Sequence, residues 1–326
     1  MVAVAYQEHG DVFKLRMNNK FPKPVPLDNQ VLVEVYATSV NPVDYKFRRN
    51  SGMPNFMLPL PKIPGADVAG IVVETGANVT KFSKGDRVAA FLPLMGSQWG
   101  SSAQFVAAAA LPLVALTAVQ AFDHVEGPTK GKKVLIQAGA GGVGTFAIQY
   151  AKNVLEMEVT TTASEMKTRL VEKLGADHVI DYRQQDFSEI VKDFDVVLDP
   201  MSWKYEGLTL NQGKNVLKKD GHYLNIMSSE FVNGKEQSLG MTTLMNLVKH
   251  YLFNKFSPGT LPRYNLIGVR PDGESLQRVF DLVEEGKILS VIDPQVFELY
   301  ELPDAHAYLE RHYATGKVVL RVADDS

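Results

Sequence analysis

The chain has no cysteine among its 326 residues, which excludes disulfides, thiolate nucleophiles, iron–sulfur clusters and every zinc site built on sulfur. It has no surplus of basic charge either. Its 34 Lys and Arg stand against 37 Asp and Glu, a net charge of −3, so the charge balance gives no reason to expect nucleic acid as a partner. Residues 1–10 lack the charged start and apolar run of a signal peptide, and a cytoplasmic location is the default expectation. One stretch is almost free of charge, residues 105–122 (FVAAAALPLVALTAVQAF). It is about as long as a short membrane span, but it is Ala-rich, broken by Pro112 and carries Thr117 and Gln120. It reads as a buried loop running into a core helix. The histidines, His9, His124, His178, His222, His250, His306 and His312, are scattered without ligand spacing, and no metal site is expected.

What is present is ordinary globular stock, with 45% hydrophobic and 22% charged residues, enough to bury sizeable cores. A single core stops growing at roughly 250–300 residues, so this length predicts two domains. The first hundred residues read as β structure, with β-branched or alternating runs at 31–37 (VLVEVYA), 68–74 (VAGIVVE) and 87–91 (RVAAF), separated by turn signals at 22–26, 76–78 and 84–86. From residue 116 the rhythm changes. Strands at 133–138, 158–163, 178–181, 196–199 and 222–227 alternate with helices at 143–155, 165–174, near 187–192 and near 211–217. Such alternation implies an α/β, doubly wound parallel sheet with right-handed crossovers. A helix at 274–285 and a strand at 317–322 close the chain.

Directly after the strand ending at Gln137 comes Ala138-Gly139-Ala140-Gly141-Gly142-Val143-Gly144, followed by an apolar-periodic helix. A glycine pattern alone is weak, but placed between strand and helix it signals dinucleotide binding. Gly139 permits the tight turn, Gly141 lets backbone amides approach a pyrophosphate, and Gly144 lets helix and strand pack closely. Gly142 and Val143 lie between them, at the positive end of the helix where the phosphate charge sits.

In an NAD-selective site an acidic residue about 20 positions onward holds the ribose 2′-hydroxyl. Here that stretch is Thr160-Thr161-Thr162-Ala163-Ser164, so hydroxyls stand where a carboxylate would repel a 2′-phosphate. Lys167 and Arg169 follow within about one helical turn, while Glu165 mildly opposes them. One charge-assisted bond contributes roughly 1.5–3 kcal/mol, about one to two decades of preference. The expected cofactor is NADPH.

Five segments then resemble the zinc-independent medium-chain dehydrogenase/reductases, in the quinone oxidoreductase or zeta-crystallin-like branch. They are residues 41–46 (NPVDYK), 63–70 (IPGADVAG), 109–113 (ALPL preceded by Ala109) running into 116–118, the Gly-rich turn with 149–152, and 316–320 (GKVVL). Within that branch the chain looks like plant chloroplast-envelope quinone oxidoreductase homologues and their alkenal- or oxoene-reducing relatives. The resemblance implies a GroES-like β domain over residues 1–115, a Rossmann NADPH-binding domain over 116–270, and a return of 271–326 to the first domain, with the active site in the cleft. Carried over by position, Asn41 and Tyr45 line the nicotinamide cleft, Thr117 lies near the nicotinamide ribose, and Lys167 and Tyr182 surround the adenosine 2′-phosphate, where spacing alone also places Ser164. Asp44 is as readily a turn cap as a functional group. Zinc-dependent members place Cys near the Asn41 segment and Gly-His-Glu where this chain has Gly65-Ala66-Asp67, so no ligand set remains. The family also carries a strand and short linker between the stretches matching 103–106 and 109–112, which are almost fused here.

The expected activity is NADPH-dependent hydride transfer to quinones without metal, with Tyr45 and Asn41 as catalytic residues. Reduction of alkenals or enones is the alternative, and a non-enzymatic NADPH-binding sensor or structural protein is a second class. An acyl-chain enoyl reductase normally sits in a much longer chain. A small quinone or enone substrate, a homodimer, no nucleic acid and no transmembrane segment complete the expectation.

Overall fold

A computed structural model describes residues 1–49, 56–108, 113–201, 203–211, 213–226 and 261–323, with the single positions 245, 248, 249, 252 and 259. Short strands β1 (Ala3–Ala5) and β2 (Arg16–Asn18) pair antiparallel ahead of the long strand β3 (Val31–Val40). The β-branched run of β3 buries Val31, Val33 and Val35 on one face. Helix α1 (Pro42–Arg49) follows, inside the half expected to be all β. Its local signals account for it: Pro42 presets the first helical φ, Asp44 lies in the first turn, and Lys46, Arg48 and Arg49 lie in the last. Strands β4 (Asp67–Thr75), β5 (Arg87–Phe91) and β6 (Phe105–Ala108) complete the local sheet, β4 and β6 both pairing with β3.

The uncharged stretch ends in the expected buried helix, α2 (Leu113–Phe122), but its start is the strand β6 on β3 and not a loop. Among the described residues no helix is long and apolar enough to cross a membrane. The near-fused connection, residues 109–112, lies outside the described residues.

Alternation then builds β7 (Lys133–Ile136), α3 (Gly142–Asn153), β8 (Glu158–Ala163), α4 (Thr168–Lys173), β9 (His178–Asp181), α5 (Phe187–Ile190), β10 (Phe194–Asp199), α6 (Trp203–Thr209), β11 (Leu217–Ile226) and β12 (Arg263–Ile267). The six strands pair parallel in the order β12-β11-β10-β7-β8-β9. The order reverses between β7 and β10, the switch point beside which ligands bind in doubly wound sheets. The helix expected near 211–217 is instead α6, further upstream. Asn211 Oδ1 accepts from Gly213 N at 2.9 Å and Asn215 takes a left-handed φ of 53°, so this segment turns and leads into β11.

Helix α7 (Gly273–Glu284) places Leu276 and Val279 in the core of the parallel sheet. The chain rejoins the first sheet through β13 (Phe297–Glu298), helix α8 (Leu302–Glu310) and β14 (Val318–Arg321), which pairs antiparallel with β3. The first sheet therefore runs β13-β14-β3-β4-β5, with β6 also on β3.

Candidate active site

The glycine turn leaves β7 with Ala138 at φ 53°, a left-handed position that a non-glycine residue holds only under local constraint. A Cβ on Gly139 would lie 2.0 Å from Thr161 Oγ1, and one on Gly144 would lie 2.4 Å from Ala138 O. Both are required by packing. Gly141 differs, since its added Cβ would meet only Ala138 O, at 3.3 Å. It is the N-cap of α3 and makes no side-chain cap bond, so the amides of Gly142, Val143 and Gly144 head the helix without a side-chain acceptor. An open turn with helix amides behind it is a fit for a pyrophosphate.

The other wall comes from the end of the chain. Gly316 N donates to Ala140 O at 2.9 Å, and a Cβ on Gly142 would lie 3.3 Å from Lys317 Cδ. The Lys317 side chain thus crosses the turn and enters the first sheet, where Nζ donates to Asn41 Oδ1 and, at 2.9 Å, to Asp67 Oδ2. Asp67 Oδ2 also accepts from Ser39 Oγ at 2.6 Å and Asn41 Nδ2 at 2.9 Å, while Oδ1 accepts from Leu113 N at 2.6 Å. Burial alone would raise the Asp67 pKa, but the Lys317 charge and these bonds outweigh it and hold the carboxyl below its ordinary range. Asp44 is opposite. Burial pushes its carboxyl up to about 6, although Asn41 N (2.7 Å) and Gly65 N (3.2 Å) donate to it.

The expected residues occupy the following places. Asn41, 1% exposed, has its carbonyl engaged by Lys317 and its amide nitrogen by Asp67. Tyr45 is buried on α1, with Arg49 Cζ 5.9 Å from its ring centre. Thr117 is buried and its hydroxyl donates to Leu113 O of its own helix at 2.7 Å. Ser164 is buried at the end of β8, and Tyr182 stands exposed just beyond Asp181, the residue paired with Ala163 across β8 and β9. Lys167 Nζ donates to Tyr313 O and Ala314 O, both at 2.9 Å. The residues without an assigned role in the sequence reading are Lys317 and Asp67, although both lie in segments that carry the resemblance.

Zinc does not fit this site. Asp67 has both oxygens engaged, and an ammonium stands 2.9 Å from one of them, where a metal would meet like charge. Among the described residues no three His, Cys, Asp or Glu side chains form a metal-holding group.

A parallel sheet with an open glycine turn at its switch point, faced by a β domain that carries a lysine–carboxylate–amide cluster, fits a dinucleotide-dependent oxidoreductase. Residues 27–157 match the alcohol dehydrogenase GroES-like domain and residues 174–320 the zinc-binding dehydrogenase family. The chain is 32% identical to the chloroplastic NADPH-dependent alkenal/one oxidoreductase of Arabidopsis thaliana, covering 98% of this chain and 79% of that protein. It is 30% identical to the chloroplast envelope quinone oxidoreductase homolog of Arabidopsis thaliana, covering 98% of each. The quinone oxidoreductase structure from Coxiella burnetii superposes with a TM-score of 0.77 at 30% identity, covering 99% of both chains. The chain belongs to the medium-chain dehydrogenase/reductase family, in its zinc-independent quinone oxidoreductase branch. The alignment with the envelope homolog runs over 342 residues against 326 here, so that relative carries stretches this chain lacks.

Proposed function

We propose that the protein is an NADPH-dependent reductase of quinones, working in the cleft between its two sheets without a metal. The observation that carries this reading is the meeting, across one seam, of the open Gly141 turn and the Lys317–Asp67–Asn41 cluster. The amides of Gly142, Val143 and Gly144 would hold the pyrophosphate, and Ser164, Lys167 and Tyr182 would surround the adenosine end. Bound there, NADPH supplies a hydride to an electron-poor acceptor. The chain's own part is orientation and charge. Asn41 and Asp67 fix the Lys317 ammonium at the edge of the cleft, where it favours negative charge developing on the acceptor oxygen. Tyr45 gives the proton that completes the reduction, and Thr117 would lie near the nicotinamide ribose.

A second reading, reduction of the double bond of alkenals or enones, is supported by the likeness to the NADPH-dependent alkenal/one oxidoreductase. Homodimer formation through the outer edge of β12 and a cytoplasmic location accompany the proposal, to be tested by solution mass and cell fractionation. The test of function is NADPH oxidation with 9,10-phenanthrenequinone, benzoquinone and a medium-chain alkenal, repeated with NADH. Turnover of the quinones with NADPH supports the main reading, and turnover of the alkenal alone supports the second. NADPH binding without turnover of any acceptor points to a sensor. In the active pairing, Tyr45→Phe should lower turnover about ten-fold or more; unchanged turnover removes Tyr45 as the acid.

A further inference from the structure

We propose that Lys62 is a positioning residue for the reaction: from behind helix α1 its ammonium holds Asp44 as a carboxylate, and Asp44 clamps together the two segments that carry the partners of Lys317. This rests on the reductase reading above and concerns how its charged cluster is kept in place.

The clamp is made by two backbone amides. Asp44 Oδ2 accepts from Asn41 N at 2.7 Å, just before α1, and Oδ1 accepts from Gly65 N at 3.2 Å, two residues before Asp67. Asn41 and Asp67 are the side chains that hold the Lys317 ammonium. One carboxylate therefore sets the spacing between them. A protonated Asp44 would carry hydrogen on one of those oxygens and accept less well there, loosening one side of the clamp.

Lys62 stands behind this group. Its backbone N donates to Tyr6 O at 2.9 Å and its O accepts from Tyr6 N at 3.0 Å, while its Nζ donates to Ser97 O at 2.6 Å and Leu94 O at 3.4 Å. Tyr6, Lys62 and Asp44, all buried, line one cavity of about 10 Å³, room for a single water molecule. No quinone fits there, so Lys62 acts through Asp44 and not on the acceptor. Burial pulls the Lys62 ammonium down to about 8, and the Asp44 charge opposes that fall. The attraction is mutual, so Lys62 favours the charged form of Asp44. Of the other charges facing Asp44, Asp67 opposes its ionisation and Lys317 favours it. Burial and the Asp44 charge raise the pKa of Tyr6, which stays protonated, and Arg48, one turn along α1, is paired with Glu310. Lys62 is the cation on the cavity side.

The test is the pH profile of kcat/KM for the quinone acceptor, which reports groups of the free enzyme. The wild type should lose activity below about pH 6 as Asp44 takes up a proton, and Asp44→Asn should lack that limb. Lys62→Met should raise the midpoint of the limb by about one unit and leave the plateau above it within about two-fold of wild type. Lys62→Arg, which keeps the charge, should return the midpoint, and in the Asp44→Asn background Lys62→Met should move nothing further. A uniform loss at every pH with the midpoint unmoved would mean that Lys62 merely holds Leu94 and Ser97, and overturns the assignment, as does a wild-type profile without the limb. Urea unfolding gives a readout without turnover: the decline in stability through about pH 6 belonging to Asp44 should extend about one unit higher in Lys62→Met. If quinones are reduced but neither the midpoint nor that decline moves, the assignment is overturned and the reductase reading stands. If nothing is reduced yet the decline moves, the reductase reading fails and the coupling of Lys62 to Asp44 stands; if nothing is reduced and the decline is unmoved, both fall.

Discussion

At the level of single residues, the two buried carboxylates of the site respond to pH in opposite directions. Asp67 has a depressed pKa, so its interactions stabilise the fold above the ordinary carboxylate range and are lost as pH falls below it. Asp44 is raised from 3.8 to about 6. Its folded form holds a proton that the unfolded form has released, so the stability it contributes is full below about pH 4 and is lost as pH rises through 6. The difference corresponds to roughly 3 kcal/mol at 1.36 kcal/mol per unit. Asp44→Asn should therefore flatten the decline in stability between pH 4 and 6, read by urea unfolding at several pH values; a variant with the wild-type slope would remove Asp44 as its source. Lys317→Met acts on the other carboxylate, leaving Asp67 buried beside Ser39 and Asn41 without a cation. A cost of about 3 kcal/mol is expected, and the acid-side loss belonging to Asp67 should shrink with it. The double variant Lys317→Met with Asp67→Asn should recover part of that cost, because no buried charge is left unpaired.

Among elements, the glycines of the β7–α3 turn separate into two kinds that a sequence pattern treats alike. Gly144→Ala drives a Cβ to 2.4 Å from Ala138 O and 2.6 Å from Gly139 Cα, backbone atoms that move only with the helix. A loss of about 1–3 kcal/mol in stability is expected. Gly141→Ala meets one atom at 3.3 Å, so its melting temperature should stay close to wild type while nucleotide affinity falls, as its methyl occupies the face left open for phosphate. Equal melting losses in both variants would contradict this division. The turn was legible in the sequence because strand, glycines and helix are contiguous, and the parallel sheet followed from alternation of the same local kind. Helix α1 was legible in principle, through Pro42 at its start and basic residues at its end, but the β-rich surroundings outweighed eight residues. The Lys317–Asp67 bond joins positions 250 apart and the Lys167–Tyr313 bond positions 146 apart. Periodicity and spacing carry no information about such pairings, which exist only once β14 has returned to β3.

For the molecule as a whole, that return decides whether the two sheets act as one body. Loop 312–317 starts at His312 and ends near Gly316, both with left-handed φ, 58° and 64°. Between them the chain bonds to Lys167 and Asp293, and Gly316 then bonds to the glycine turn. The bond between Gly316 and Ala140 is one contact through which nucleotide bound on one sheet can stabilise the other. Binding at a hundred times Kd adds about 2.7 kcal/mol to the folded state, and in the wild type this should raise a single cooperative transition by a few degrees. Gly316→Ala places a Cβ 2.1 Å from Val291 O at a φ that alanine disfavours, so the loop must withdraw from Ala140. Calorimetry of that variant should resolve two transitions, only one of them moved by NADPH. A single transition shifted as in the wild type would mean that the sheets are coupled through the core shared by α2, α3 and α7 rather than through the loop.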